Sequence, residues 1–153
     1  MRKMATILAV VALMLTFSSG VAQAAFEDFI TGTDHTDIFT GTGKAEQISG
    51  LGGDDQINGR GGNDLVEGGK GSDEVGDGLG QDAVYGGAGK DILIGQGGDT
   101  SLDRFYAGSG DDNVQPWDSP AVKDVVNCGP GTDTVYPDKA DIIKDNCERV
   151  RVQ

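Results

Sequence analysis

Residues 50–94 read GLGGDDQIN, GRGGNDLVE, GGKGSDEVG, DGLGQDAVY and GGAGKDILI, five consecutive nonapeptides. Each has glycines among its first four positions, Asp at position six and an aliphatic residue at position eight. A fixed period of this kind marks a repeat architecture, because one unit cannot bury its own apolar side and must stack on its neighbours. Three residues centred on an aliphatic position suit a short strand, with the middle side chain inward and its neighbours outward. The glycines suit a sharp turn that needs positive φ. Strand, turn, strand, turn over two nonapeptides closes one coil, so unit n stacks on unit n+2. The predicted class is all-β: a parallel β-solenoid with two short-stranded parallel sheets.

The register extends in both directions. Backwards, Glu46, Asp37 and Asp28 hold position six, and Ile48, Phe39 and Ile30 hold position eight. The loops there, GTDHTD and GTGKAE, have lost glycines, as terminal capping repeats do. Forwards, two turns need three extra residues each, which restores Asp103 with Phe105, Asp112 with Val114, Asp124 with Val126 and Asp133 with Val135. The tail ends on Asp141 with Ile143 and Glu148 with Val150. Alternation puts the turns ending at Asp55, Asp73, Asp91, Asp112 and Asp133 on one edge of the solenoid. Those ending at Glu46, Asp64, Asp82, Asp103, Asp124 and Asp141 fall on the other edge, which carries both insertions.

GGKGSDEV and GGAGKDIL resemble the calcium-binding nonapeptide of RTX proteins, which form parallel β-rolls. The resemblance covers Asp28 to Val150. It implies that each ion sits between turns stacked on the same edge, held by Asp side chains and loop carbonyls. The matching positions are Asp55, Asp73, Asp91, Asp112 and Asp133 on one edge and Asp64 and Asp82 on the other. The accompanying glycines are Gly50, Gly52, Gly68, Gly69, Gly71, Gly86, Gly87, Gly89, Gly108 and Gly110. The donor chemistry points the same way: carboxylates and carbonyls are hard oxygen ligands, of which Ca2+ takes about 6–8 at flexible geometry, while Mg2+ demands a tighter octahedron. No His or Cys cluster competes for a softer metal. About 4–6 calcium ions are expected, about four on the first edge and one or two on the second.

Composition sets the partners and the address. The formal charge is −13, and Arg2 and Lys3 belong to a stretch set apart from the fold. They precede an apolar run from Ala5 to Phe17, and small residues follow up to Ala22-Gln23-Ala24. This reads as a secretory signal peptide over 1–24, cleaved after Ala24. The run is shorter than the roughly 20 residues that span a bilayer. An acidic surface repels nucleic acid and anionic membranes and attracts cations. Residues 25–153 are expected to form a single domain: a degenerate N-terminal cap over 28–49, calcium-binding repeats over 50–136 and a C-terminal cap over 137–153. The insertions fall near 99–101 and 116–123. With few large apolar side chains, this domain is expected to depend on calcium for its order.

Cys128 and Cys147 are the only cysteines. The register puts them on one edge about one coil apart, a separation compatible with a disulfide, and an exported protein keeps such bonds. Free or metal-binding thiols are the alternative. His35 has no partner motif for catalysis and reads as a solvated turn residue, and no G-x-S-x-G elbow is present. Asp54-Asp55 and Asp111-Asp112 could suggest a glycosidase pair, but their repeat phase favours ion ligation. Tyr85 and Tyr106 fall one coil apart on one outer face, and Trp117 lies in the second insertion. The expected function is calcium binding by an exported, non-enzymatic protein. The alternative is a calcium-dependent extracellular adhesion or matrix-interaction module with a surface glycan or protein partner.

Overall fold

The computed structural model describes residues 28–96, 100–118 and 120–152. The signal peptide expected over 1–24 and the first part of the first insertion lie outside the described residues. The rest is a parallel β-solenoid of two seven-stranded sheets. Sheet A contains β1 (Asp28–Thr31), β3 (Glu46–Gly52), β5 (Leu65–Lys70), β7 (Ala83–Ala88), β9 (Arg104–Ser109), β11 (Val125–Asn127) and β13 (Ile142–Ile143), in that order. Sheet B contains β2 (Ile38–Thr40), β4 (Gln56–Asn58), β6 (Glu74–Gly76), β8 (Ile92–Ile94), β10 (Asn113–Gln115), β12 (Thr134–Val135) and β14 (Arg149–Val150). The chain therefore alternates between sheets at every turn, and each strand pairs with the one two places on.

The pairing register is that of the sequence ladder. In sheet A, Ile30, Ile48, Val66, Val84, Phe105, Val126 and Ile143 lie side by side. In sheet B, the row is Phe39, Ile57, Val75, Leu93, Val114, Val135 and Val150. The period is 18 residues through the regular coils and 21 across each insertion, so the extra residues leave the turn and do not disturb the strands. The two rows face each other as a core one residue wide per strand. Ile48, Val66, Val75, Val84, Leu93, Phe105, Val114, Val126 and Val135 are fully buried. A slip by one residue would turn a whole row of aliphatics to solvent, and this holds the register.

One expectation about local structure is corrected. The pattern places the glycines in turns, yet β3, β5, β7 and β9 of sheet A continue through positions one to three. Gly69 pairs with Gly87, and Gly87 with Gly108. Positive φ is confined to positions two and four of each unit, as at Gly69 (115°) and Gly71 (126°). Successive coils approach so closely at these positions that a Cβ on Gly69 would strike the backbone of Leu51. Leu51 and Arg60 hold position two with φ of 74° each, where Gly69, Gly78, Gly87, Gly108 and Gly129 stand in later units.

Candidate metal centre: two aspartate ladders

At each turn the Asp of position six lies at the foot of the following strand with its carboxylate folded inward. The side chains of Asp55, Asp64, Asp73, Asp82, Asp91, Asp103, Asp112, Asp124 and Asp133 are all buried. One carboxylate oxygen has a repeating role. Asp73 Oδ1 accepts the backbone N–H of Asp55 at 2.8 Å, and Asp91 Oδ1 that of Asp73 at 2.9 Å. Asp112 accepts from Asp91 and Asp133 from Asp112, at 2.8 and 2.9 Å. Glu148 ends this edge by accepting the N–H of Asp133 at 3.0 Å. The opposite edge repeats the pattern from Glu46 through Asp64, Asp82, Asp103 and Asp124 to Asp141.

The second carboxylate oxygen is the chemically informative one. Oδ2 of Asp55, Asp64, Asp73, Asp91, Asp112 and Asp133 is buried and has no hydrogen-bond partner. In Asp55, Asp64, Asp73 and Asp91 it folds back over the position-one glycine of its own turn, while the turns of Asp112 and Asp133 have Ala107 and Cys128 at that position. A Cβ on Gly68 would lie 2.6 Å from Asp73 Oδ2 and 2.7 Å from the carbonyl oxygen of Gly86 in the next coil. On Gly59 it would meet Asp64 Oδ2 at 2.7 Å together with the carbonyl of Asp77. Carboxylate and carbonyl oxygens of adjacent coils thus converge beside a residue that has no side chain.

A buried carboxylate with an unsatisfied oxygen costs several kcal/mol unless it takes a proton or a cation. The proton affinities reflect this. Burial, partly offset by the accepted N–H, raises Asp64 from 3.8 to about 6 and Asp91 to about 7. Burial likewise raises Asp73, Asp112, Asp133 and Asp141, with nearby carboxylates adding a smaller push. Desolvation is the larger cause and mutual repulsion the lesser. Hard oxygens in this state fit a hard divalent cation.

Sequence reasoning missed two features. Position five builds an outer ladder: Ser72 N–H donates to Asp54 Oδ1, Gln81 to Asn63 and Thr132 to Asp111, at 2.8–3.0 Å. Asp77 was also overlooked. It occupies position one, is buried, and lies with Asp82 and Asp103 in a group whose ligand atoms are all within 4.8 Å of one another. Its signal was visible in DGLGQDAVY as an acid where the other four quoted units have glycine. Burial, reinforced by Asp103 and then Asp82, raises its pKa to about 8.

Residues 40–75 and 77–102 match the family described as the RTX calcium-binding nonapeptide repeat, in four copies. The chain carries RTX repeats. No curated protein and no solved structure gives a match. The hydrogen-bonded ladder continues past the matched residues as far as Glu148, so the solenoid is longer than the matched segment. Cys128 and Cys147 form a disulfide with Cα atoms 5.2 Å apart, joining the last two turns of the first edge of the roll. This bond fits an oxidising compartment. Among the described residues no helix is long and apolar enough to cross a membrane. His35 is exposed in a turn made by Thr33 and Asp37. Tyr85 and Tyr106 stack on the outer face of sheet A with ring centroids 4.7 Å apart, and Trp117 is half-exposed.

Proposed function

We propose that this chain is an exported, non-enzymatic calcium-binding protein whose roll is stabilised or induced by the ion. The observation that supports this is the row of buried, unpartnered Oδ2 atoms repeated coil after coil, those of Asp55, Asp64, Asp73 and Asp91 beside position-one glycines. On the first edge the ligands would be Asp55, Asp73, Asp91, Asp112 and Asp133 with the carbonyls of their glycine-rich turns. On the second they would be Asp64 and Asp82. About four ions on the first edge and one or two on the second would neutralise these groups. The N-terminal leader over 1–24 and the Cys128–Cys147 disulfide favour export and a working place outside the cell, with residues 25–153 as the mature domain. The strongly acidic balance favours cations over nucleic acid as partners.

Calorimetric titration of wild type and Asp73→Ala with calcium tests this. Asp73 is the shared rung between the turns of Asp55 and Asp91, so its loss should weaken two binding steps. Equal ion number and equal midpoints in the two proteins would refute the edge assignment.

The stacked Tyr85–Tyr106 pair and half-exposed Trp117 favour a second reading, in which calcium is structural and the outer face engages a glycan or protein in an adhesive or matrix role. Calcium-dependent binding to glycans or cell surfaces, abolished by Tyr85→Ala or Trp117→Ala with the roll intact, would support it.

A further inference from the structure

On the second edge, position one is not glycine in every coil. Going along it, the residues are Gly41, Gly59, Asp77, Gly95 and Pro116. At Gly41 and Gly59 the position admits no side chain. A Cβ on Gly59 would collide with the carbonyl of Asp77, and one on Gly41 with that of Gly59. At Asp77 the hydrogen bond to the next coil is longer: its N–H donates to Ile94 O at 3.2 Å, against 2.8 Å from Gly41 to Asn58 O and 3.0 Å from Gly59 to Gly76 O. The ladder there steps 21 residues, from Asp82 to Asp103, across the first insertion.

The Asp77 side chain nevertheless enters the roll. It is 1% exposed. Its Oδ1 accepts the N–H of Gly78 at 2.5 Å and that of Gln96, in the next coil, at 2.9 Å. Its Oδ2 is buried and has no hydrogen-bond partner. Asp103 Oδ1 accepts the N–H of Asp82 at 2.7 Å, which brings those two carboxylates to the same place from consecutive turns. Ligand oxygens from all three acids lie within 4.8 Å of one another. Oxygens that lie this close can share one Ca2+, whose Ca–O bonds run about 2.3–2.6 Å.

We propose that Asp77, Asp82 and Asp103 form a three-carboxylate calcium site, distinct from the carboxylate-and-carbonyl sites of the regular turns, and the tightest in the molecule. The inference rests on the calcium-binding reading above and adds to it a ligand, Asp77, that the nonapeptide pattern does not supply. Affinity in oxygen-ligand calcium sites rises with the number of charged ligands and with rigidity. Here three acids converge on one buried point, and two of them are joined by a hydrogen bond between adjacent coils.

The test is a calcium titration of the full chain in competition with a chelator of known affinity, on wild type, Asp77→Asn and Asp77→Gly. Asn keeps the volume of Asp, and Gly restores the residue that regular units carry, so the second variant covers a failure of the first to fold. Far-ultraviolet circular dichroism at saturating calcium checks the fold of each. The expected result is loss of the tightest binding step, or its weakening by at least about tenfold, with the remaining steps within twofold of wild type. A folded variant in which every step stays within twofold of wild type overturns the three-carboxylate site while leaving calcium binding by the regular turns intact. Wild type that takes up no calcium at all overturns the proposed function itself.

Discussion

At the level of single residues, the two oxygens of each ladder aspartate divide the work. Oδ1 ties one coil to the next through a backbone N–H, and Oδ2 is left for a cation or a proton. With Asp64 held near 6 and Asp91 near 7, against 3.8 for the ordinary group, the calcium-free roll binds more protons than the unfolded chain between those values. Stability of the calcium-free form is therefore fullest below about pH 4 and falls as pH rises towards about 7, while calcium uptake strengthens over the same window because protons compete less. Strand content in calcium-depleted buffer should decrease from pH 4.5 to pH 7.5. An increase would contradict the carboxylate assignment. The left-handed φ of Leu51 and Arg60 gives a second prediction. A non-glycine residue there costs about 1–2 kcal/mol, and glycine gives back about 0.5–1 kcal/mol through its greater freedom when unfolded. Leu51→Gly and Arg60→Gly should each raise stability by about 0.5–1 kcal/mol, read as a shift in the denaturant midpoint at saturating calcium.

At the level of strands and turns, the register of all fourteen rungs was legible because two independent signals, an acid and an aliphatic two residues later, had to agree at every unit. The single-file core enforces the same spacing in three dimensions, so Val84 finds Phe105 despite the insertion between them. The rest was hidden for physical reasons. Spacing does not say which carboxylate oxygen is satisfied, nor that the strands of sheet A run on through Gly69 and Gly87. It also does not show that the Asp77 side chain turns inward beside Asp82 and Asp103. The Cys128–Cys147 bond belongs to this scale too, since it spans 19 residues and ties the short last coils to the regular ones. Closing a loop of that size is worth about 3 kcal/mol. Reduction should therefore loosen the coil of β11 to β14 before the repeats of β3 to β8. Hydrogen exchange that rises equally in both regions would argue against a local clamp.

For the whole molecule, a core of one aliphatic per strand is flanked on both edges by rows of buried acids. Each regular coil adds a little apolar burial and two more buried carboxylates, one on each edge, so lengthening the roll does not relieve the charge it accumulates. Cations bound between coils remove that penalty and link each coil to the next, which couples ion binding to folding by mass action. Order should accordingly rise with calcium as a cooperative transition. The most direct measurement is far-ultraviolet circular dichroism of the mature chain, titrated with calcium from excess chelator at pH 7.5. The account predicts little strand signal in chelator and a cooperative gain that saturates with calcium, unmatched by equimolar magnesium. Full strand content in chelator, unchanged by calcium, would contradict it.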